Sequence, residues 1–182
     1  ARPHRRNAWT GRMHSEYRFL LDQANNDRSV GAIVVSGEGD SFCVGGDSQA
    51  LQGHSARGSY DSGVSSDIAL PGYGIDERFD ATFAYHYGLN KPIIAAINGA
   101  AAGVGLALAA FADIRFAVPK AKLTTAHGKI NLPAEYGLSW VLPRIVGLGR
   151  ANDLLLTSRV FLSEEAEKIG FVNQLFSSEQ LL

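Results

Sequence analysis

The stretch Ile93–Ala112, IIAAINGAAAGVGLALAAFA, has Asn98 as its one strongly polar side chain, and the way it divides decides the fold. In length it matches the ~20 apolar residues that carry a helix across a bilayer. Its composition argues against that reading. Much of it is alanine, which is only weakly hydrophobic, and Asn98-Gly99 is a turn signal close to its start. Gly99 and Gly103 have the G-x-x-x-G spacing of packed membrane helices, but that motif counts only inside a convincing apolar span. The stretch therefore reads as three pieces. Lys91–Asn98 forms a strand, Gly99 turns the chain, and a helix runs from near Gly103 to just before Asp113. A further strand, IRFAV, follows at Ile114–Val118.

The same alternation extends on both sides. Near the N-terminus an amphipathic helix places Met13, Tyr17, Leu20, Leu21 and Ala24 on one face. VGAIVVSG (30–37) reads as a buried strand ending in the turn GEGD. SFCVGGDSQALQGH (41–54) is a strand end, two glycines and a helix start, with Asp47 or Ser48 as N-cap. Residues 53–80 are irregular and rich in Gly and Ser, in the manner of a lid or linker. FDATFAYHYGLN (79–90), GRANDLLLTS (149–158) and SEEAEKIG (163–170) read as helices, and FVNQLF (171–176) as a strand. Strands alternating with helices predict an α/β fold. At the end of the sequence, Ser177 and Gln180 have capping-box spacing. The spacing predicts a helix starting there, from which both ends are expected to be cut from a longer protein.

With 182 residues the chain fits one domain. A net charge of −1 gives no electrostatic reason to expect nucleic acid or an acidic membrane as partner. Arg2, His4, Arg5 and Arg6 form a small basic cluster, the usual mark of a solvated surface. The single cysteine, Cys43, excludes an internal disulfide framework and a multi-cysteine metal site. No metal is expected. No charged leader with an apolar core is visible at the start. These features predict a soluble protein of the cytoplasm.

Two glycine-rich turns, VGGD and AGVG, each lead into a helix. The first turn of a helix leaves backbone N–H groups without internal partners. Two such ends brought together, with Gly46 and Val104 as donors, could hold a thioester oxygen as it becomes an enolate. The same glycines equally suit tight turns and close packing, and the residues alone leave both readings open. A dinucleotide fingerprint is a poor match, because GVGLAL lacks the third glycine. No Walker loop, G-x-S-x-G elbow, H-E-x-x-H or C-x-x-C occurs.

Taken together, SFCVGGD, KPIIAAINGAAAGVGLALAAFADIRFA and LPAEYGLSWVLPRIVGLGRANDLLLTSRVFLSEEAEKIGFVNQLF closely resemble the crotonase family of enoyl-CoA hydratases and isomerases. The resemblance covers nearly the whole chain. It implies a crotonase-like spiral of ββα units over residues 1–182, an acyl-CoA-binding catalytic core without the family's first N-terminal strands and C-terminal helices. It also implies an oxyanion hole made by the Gly46 and Val104 amides, with Gly45, Asp47 and Gly103 as substrate contacts. The substrate would be an acyl-CoA, with coenzyme A entering as part of it and no separate cofactor. Assembly into a homotrimer or hexamer belongs to the same implication.

Family hydratases position water with two glutamates. The resemblance puts Ala107 and His127 at those two places, so both carboxylates are absent. Glu135, in LPAEYG, matches the position where some family isomerases carry a catalytic Glu or Asp and related dehalogenases a nucleophilic Asp. One carboxylate beside an enolate suffices to take a proton from one carbon and return it to another. The expectation is Δ3-to-Δ2 enoyl-CoA isomerisation with Glu135 as proton shuttle and His127 as a second acid–base candidate. The rivals are hydration of a 2-enoyl-CoA at a non-standard site and a catalytically silent acyl-CoA-binding subunit. Asp113 reads as a turn residue, Cys43 as a small buried residue, and Phe111, Trp140 and Leu142 as core.

Overall fold

The computed structural model describes residues 1–47, 83–134 and 136–182. The first helix, α1 (Gly11–Asn26), is capped by Thr10, whose hydroxyl accepts from the Met13 amide at 3.1 Å. Strands β1 (Ile33–Ser36) and β2 (Ser41–Cys43) follow. The opening stretch supplies β3 (Ile93–Ile97), β4 (Ala100–Ala102) and α2 (Val104–Ala110). Next come β5 (Ile114–Ala117), β6 (Lys122–Thr124), α3 (Leu138–Val146) and α4 (Leu148–Thr157). The chain closes with β7 (Phe161–Leu162), α5 (Ser163–Lys168) and β8 (Gln174–Leu175).

The strands sort into two sheets, β1-β3-β5-β8 and β2-β4-β6-β7. From β1 to β6 successive strands alternate between the sheets, so each turn of the chain adds one strand to each and advances the stack; β7 then joins the second sheet beside β6, and β8 the first. This is the ββα spiral that the resemblance implies. The first sheet is parallel throughout, with Ile33 opposite Ile93 and Ile94 opposite Ile114. In the second, only β7 runs antiparallel.

Local chemistry explains why the apolar stretch breaks where it does. The Asn98 amide donates to the carbonyls of Gly37 and Gly39 at 2.9 and 2.8 Å, and its oxygen accepts from the Gly37 amide at 3.1 Å. The one polar side chain thus ties the corner after β3 to the corner after β1. The alanines let two sheets and a helix approach closely. Every residue of α2 is buried, as are Ala95, Ala96 and Ala101. Among the described residues no helix is long and apolar enough to cross a membrane.

Several expectations are corrected. Leu20 is 62% exposed, while Leu21, Asp22 and Asn25 form the buried face of α1. Where residues 79–90 are described they form only a short 3-10 helix, Ala84–Gly88. Ser177 and Gln180 close a single turn through Gln180 N–H to Ser177 O at 3.0 Å, and no helix starts there. Trp140 is exposed beneath the Arg144 guanidinium, 3.9 Å from its ring centroid, whereas Phe111 and Leu142 are core. The irregular segment 53–80, the N-cap candidate Ser48 and Glu135 lie outside the described residues.

Candidate active site

Strands β2 and β4 are parallel neighbours, with Cys43 opposite Ala101, so their C-terminal ends emerge side by side. The chain after β2 passes through Gly45 at φ +106°, and after β4 through Gly103 at φ +51°, backbone angles that favour glycine. The two turns touch: a Cβ placed on Gly103 would lie 3.9 Å from the Gly45 Cα.

The N-terminal segment orients the first turn. The Trp9 amide donates to Gly45 O at 2.8 Å, and the Asp47 amide donates to Trp9 O at 2.8 Å. This is a parallel bridge between Trp9 and Gly46. Such a bridge uses the groups flanking Gly46, so the N–H of Gly46 itself projects toward the opposite edge. In the second turn the Gly103 amide is taken by Thr124 O at 3.1 Å. Val104 opens α2, where amides have no intrahelical acceptor.

Gly45, Gly46, Gly103 and Val104 line one wall of a cavity of about 300 Å³. Thr125, Ala126 and His127 form a second wall, and Tyr136 and Leu138 close it from the start of α3. The lining is mostly apolar, which would strengthen any hydrogen bond made inside it. The His127 Nδ1 lies 3.3 Å from Thr125 O. A carbonyl can only accept, so Nδ1 carries a proton.

Four sequence-derived candidates of the two glycine turns, and His127, therefore meet at one cavity. Asp47 is not part of its wall; buried at 6% exposure, it accepts from the Arg2 guanidinium at 2.7 Å. Ala107 is buried in the core. Thr125, Ala126 and Tyr136 escaped the sequence reading. Ala126 and Tyr136 have positive φ without being glycine (+62° and +56°), and no local pattern announces this. Cys43 is buried below the first turn, and burial pushes its thiol up to about 11.

A second cavity, of about 270 Å³, lies between α1 and the β1–β2 corner. Met13, Val35 and Phe42 make it apolar, and it lacks the converging glycine turns. Among the described residues no group of three or more His, Cys, Asp or Glu could hold a metal ion.

The whole chain, residues 1–182, matches the family model described as enoyl-CoA hydratase/isomerase. It is 31% identical to the 1,2-epoxyphenylacetyl-CoA isomerase of Escherichia coli (strain K12), over 99% of this chain and 65% of that protein. It is 36% identical to a protein of Mycobacterium tuberculosis (strain ATCC 25618 / H37Rv) named "Probable enoyl-CoA hydratase EchA12", over 100% of this chain and 62% of that one. The chain thus spans less than two thirds of the length of these curated relatives. Among solved structures, the crystal structure of enoyl-CoA hydratase from Mycobacterium smegmatis superposes with a TM-score of 0.76 at 30% identity, covering 99% of this chain and 68% of that one. The chain belongs to the enoyl-CoA hydratase/isomerase family.

Proposed function

We propose that this chain forms the core of an acyl-CoA enzyme that polarises a thioester carbonyl with the Gly46 and Val104 amides and shuttles a proton with Glu135. The observation that carries the reading is that Gly46 and Val104 come from neighbouring turns and line one cavity. A ground-state carbonyl gains little from such donors. An enolate oxygen gains much more, and one missing donor typically costs ~2.7–4 kcal/mol of transition-state stabilisation.

Isomerisation of a 3-enoyl-CoA to the 2-enoyl-CoA is favoured over hydration. Hydration by two glutamates needs carboxylates where this chain has Ala107 and His127. Ala107 cannot transfer a proton. Isomerisation needs one base that reaches both carbons, and Glu135 directly precedes Tyr136 of the cavity wall. His127, which lines the cavity with its Nδ1 turned to Thr125 O, is the second acid–base candidate. Gly45 and Gly103 would give the thioester close access to the two amides.

The test is to incubate the full-length protein separately with 2-enoyl- and 3-enoyl-CoA thioesters and identify the products. Conversion of the 3-enoyl thioester to its 2-enoyl isomer is expected. A 3-hydroxyacyl-CoA formed from the 2-enoyl thioester would favour the hydratase reading, and binding without turnover of either would favour a silent acyl-CoA-binding subunit. We extend the proposal to assembly as a homotrimer or hexamer, checked by light scattering of the full-length protein.

A further inference from the structure

Ser158 is fully buried and follows α4 in a left-handed conformation, φ +47° and ψ +31°, that serine rarely adopts. Its amide caps α4 by donating to Leu154 O at 3.1 Å, while its carbonyl and hydroxyl engage the segment that forms the second wall of the cavity. The Thr124 hydroxyl donates to Ser158 O at 3.0 Å, and the Gly128 amide donates to Ser158 Oγ at 2.9 Å. The Thr125 and Ser158 hydroxyls are 3.1 Å apart, with Thr125 also donating to Leu154 O at 2.9 Å. The contact is tight as well as polar: a Cβ on Gly128 would come within 2.8 Å of Ser158 Oγ.

These bonds bracket Ala126 and His127 on both sides. Ala126 sits at φ +62° with its amide held by the Thr124 hydroxyl at 3.1 Å. A backbone in that region relaxes unless its surroundings over-determine it. Thr124 and Gly128 are the two ends of the strained segment, and Ser158 is bonded to both. The segment also receives the Gly103 amide at Thr124 O, one residue before the Val104 donor.

We propose that Ser158 is a positioning residue: it clamps Thr124–Gly128 so that Ala126 and His127 hold one fixed wall opposite the Gly46 and Val104 amides. This rests on the reading of the cavity as the acyl-CoA site. Ser158 touches no substrate and acts only through the segment it holds. Loosening the clamp lets the wall relax, and a misplacement of ~1 Å at a reacting centre can cost about 10²-fold in rate.

The variant that separates clamp from strain is Ser158→Gly, which suits the left-handed backbone but removes the hydroxyl. Gly128→Ala attacks the same contact from the other side and guards against a misfolded first variant. In the full-length protein each should lower kcat about 10-fold or more on the enoyl-CoA that the wild type turns over, with KM within about twofold. In parallel, 13C-labelled histidine reports the His127 imidazole by NMR, assigned with His127→Asn, while butanoyl-CoA, which is saturated and cannot react, is added. The wild-type His127 signal should shift as one sharp resonance, and in the variants it should broaden or split. Folded variants with unchanged kcat and an unchanged His127 response would overturn the clamp. A wild-type His127 signal blind to bound butanoyl-CoA would overturn the acyl-site reading instead, so the two failures are distinguishable.

Discussion

Gly105, in the first turn of α2, packs directly on the backbone carbonyl of Cys43 at the end of β2, and a Cβ at Gly105 would overlap that carbonyl. This contact sets how close α2 lies to β2, and so how close the Val104 amide lies to the Gly46 turn. The glycine is required by contact with backbone, which cannot rotate away as a side chain could.

Gly105→Ala should therefore be costly for so small a change. Overpacking a close contact typically costs ~1–3 kcal/mol. For a domain of this size that corresponds to a fall in Tm of several degrees. Acyl-CoA turnover should fall further than stability alone explains, because α2 must move away from β2. Calorimetry together with kcat/KM checks both halves, and a wild-type Tm would show that the helix is free to shift.

If Glu135 carries the proton, Glu135→Gln keeps the shape and removes the base. Turnover should drop ~10²–10⁴-fold, the usual scale for general acid–base catalysis, while acyl-CoA affinity stays nearly unchanged. Single-turnover kinetics and calorimetric titration separate the two quantities. Full activity in Glu135→Gln would transfer the role to His127.

His86 gives the fold a pH dependence of its own. Its Nδ1 lies 3.2 Å from Phe111 O, so that nitrogen carries the proton, and Nε2 accepts from the Tyr17 hydroxyl at 3.0 Å. Burial lowers its pKa to about 4, and burial likewise lowers that of His14 to about 4. Between the ordinary histidine value and about 4 the unfolded chain binds more protons than the folded one. Stability is therefore complete above pH ~6.5 and is lost as pH falls toward 4, by roughly 3 kcal/mol for His86 alone. Urea unfolding from pH 7.5 to 4.5 should show this slope, and His86→Gln should reduce it to the part that His14 contributes.

Cys43 should be inert in the native protein. Burial leaves it a protonated thiol at neutral pH, with the thiolate form that would react disfavoured. Iodoacetamide should label it only in denaturant. Rapid labelling of folded protein would mean that the β2 end opens readily.

The division of Ile93–Ala112 was legible because each part is decided locally. Asn98-Gly99 is a turn signal, and Leu106 and Leu108 among alanines favour a buried helix after it. Three-residue strands such as β4 and β6 carry too few residues for a period to show. They exist because their neighbours offer a register, Ala101 against Leu123 and Ala102 against Thr124. Trp140 misled for a related reason: its pattern suits a core, but Arg144 one turn on covers it at the surface.

The sequence by itself determined the α/β alternation, the two glycine turns and the family pattern, since these rest on spacing and backbone preference within a few residues. Only the tertiary structure decided that the turns meet, that Thr125, Ala126 and Tyr136 wall the same cavity, and that Asp47 faces Arg2. It alone joined Ser158 to Gly128, 30 residues apart, and Tyr17 to His86, 69 apart. Such pairs have no local signature: each partner is an ordinary residue in its own segment, and their interaction exists only once the spiral has stacked one turn on the next.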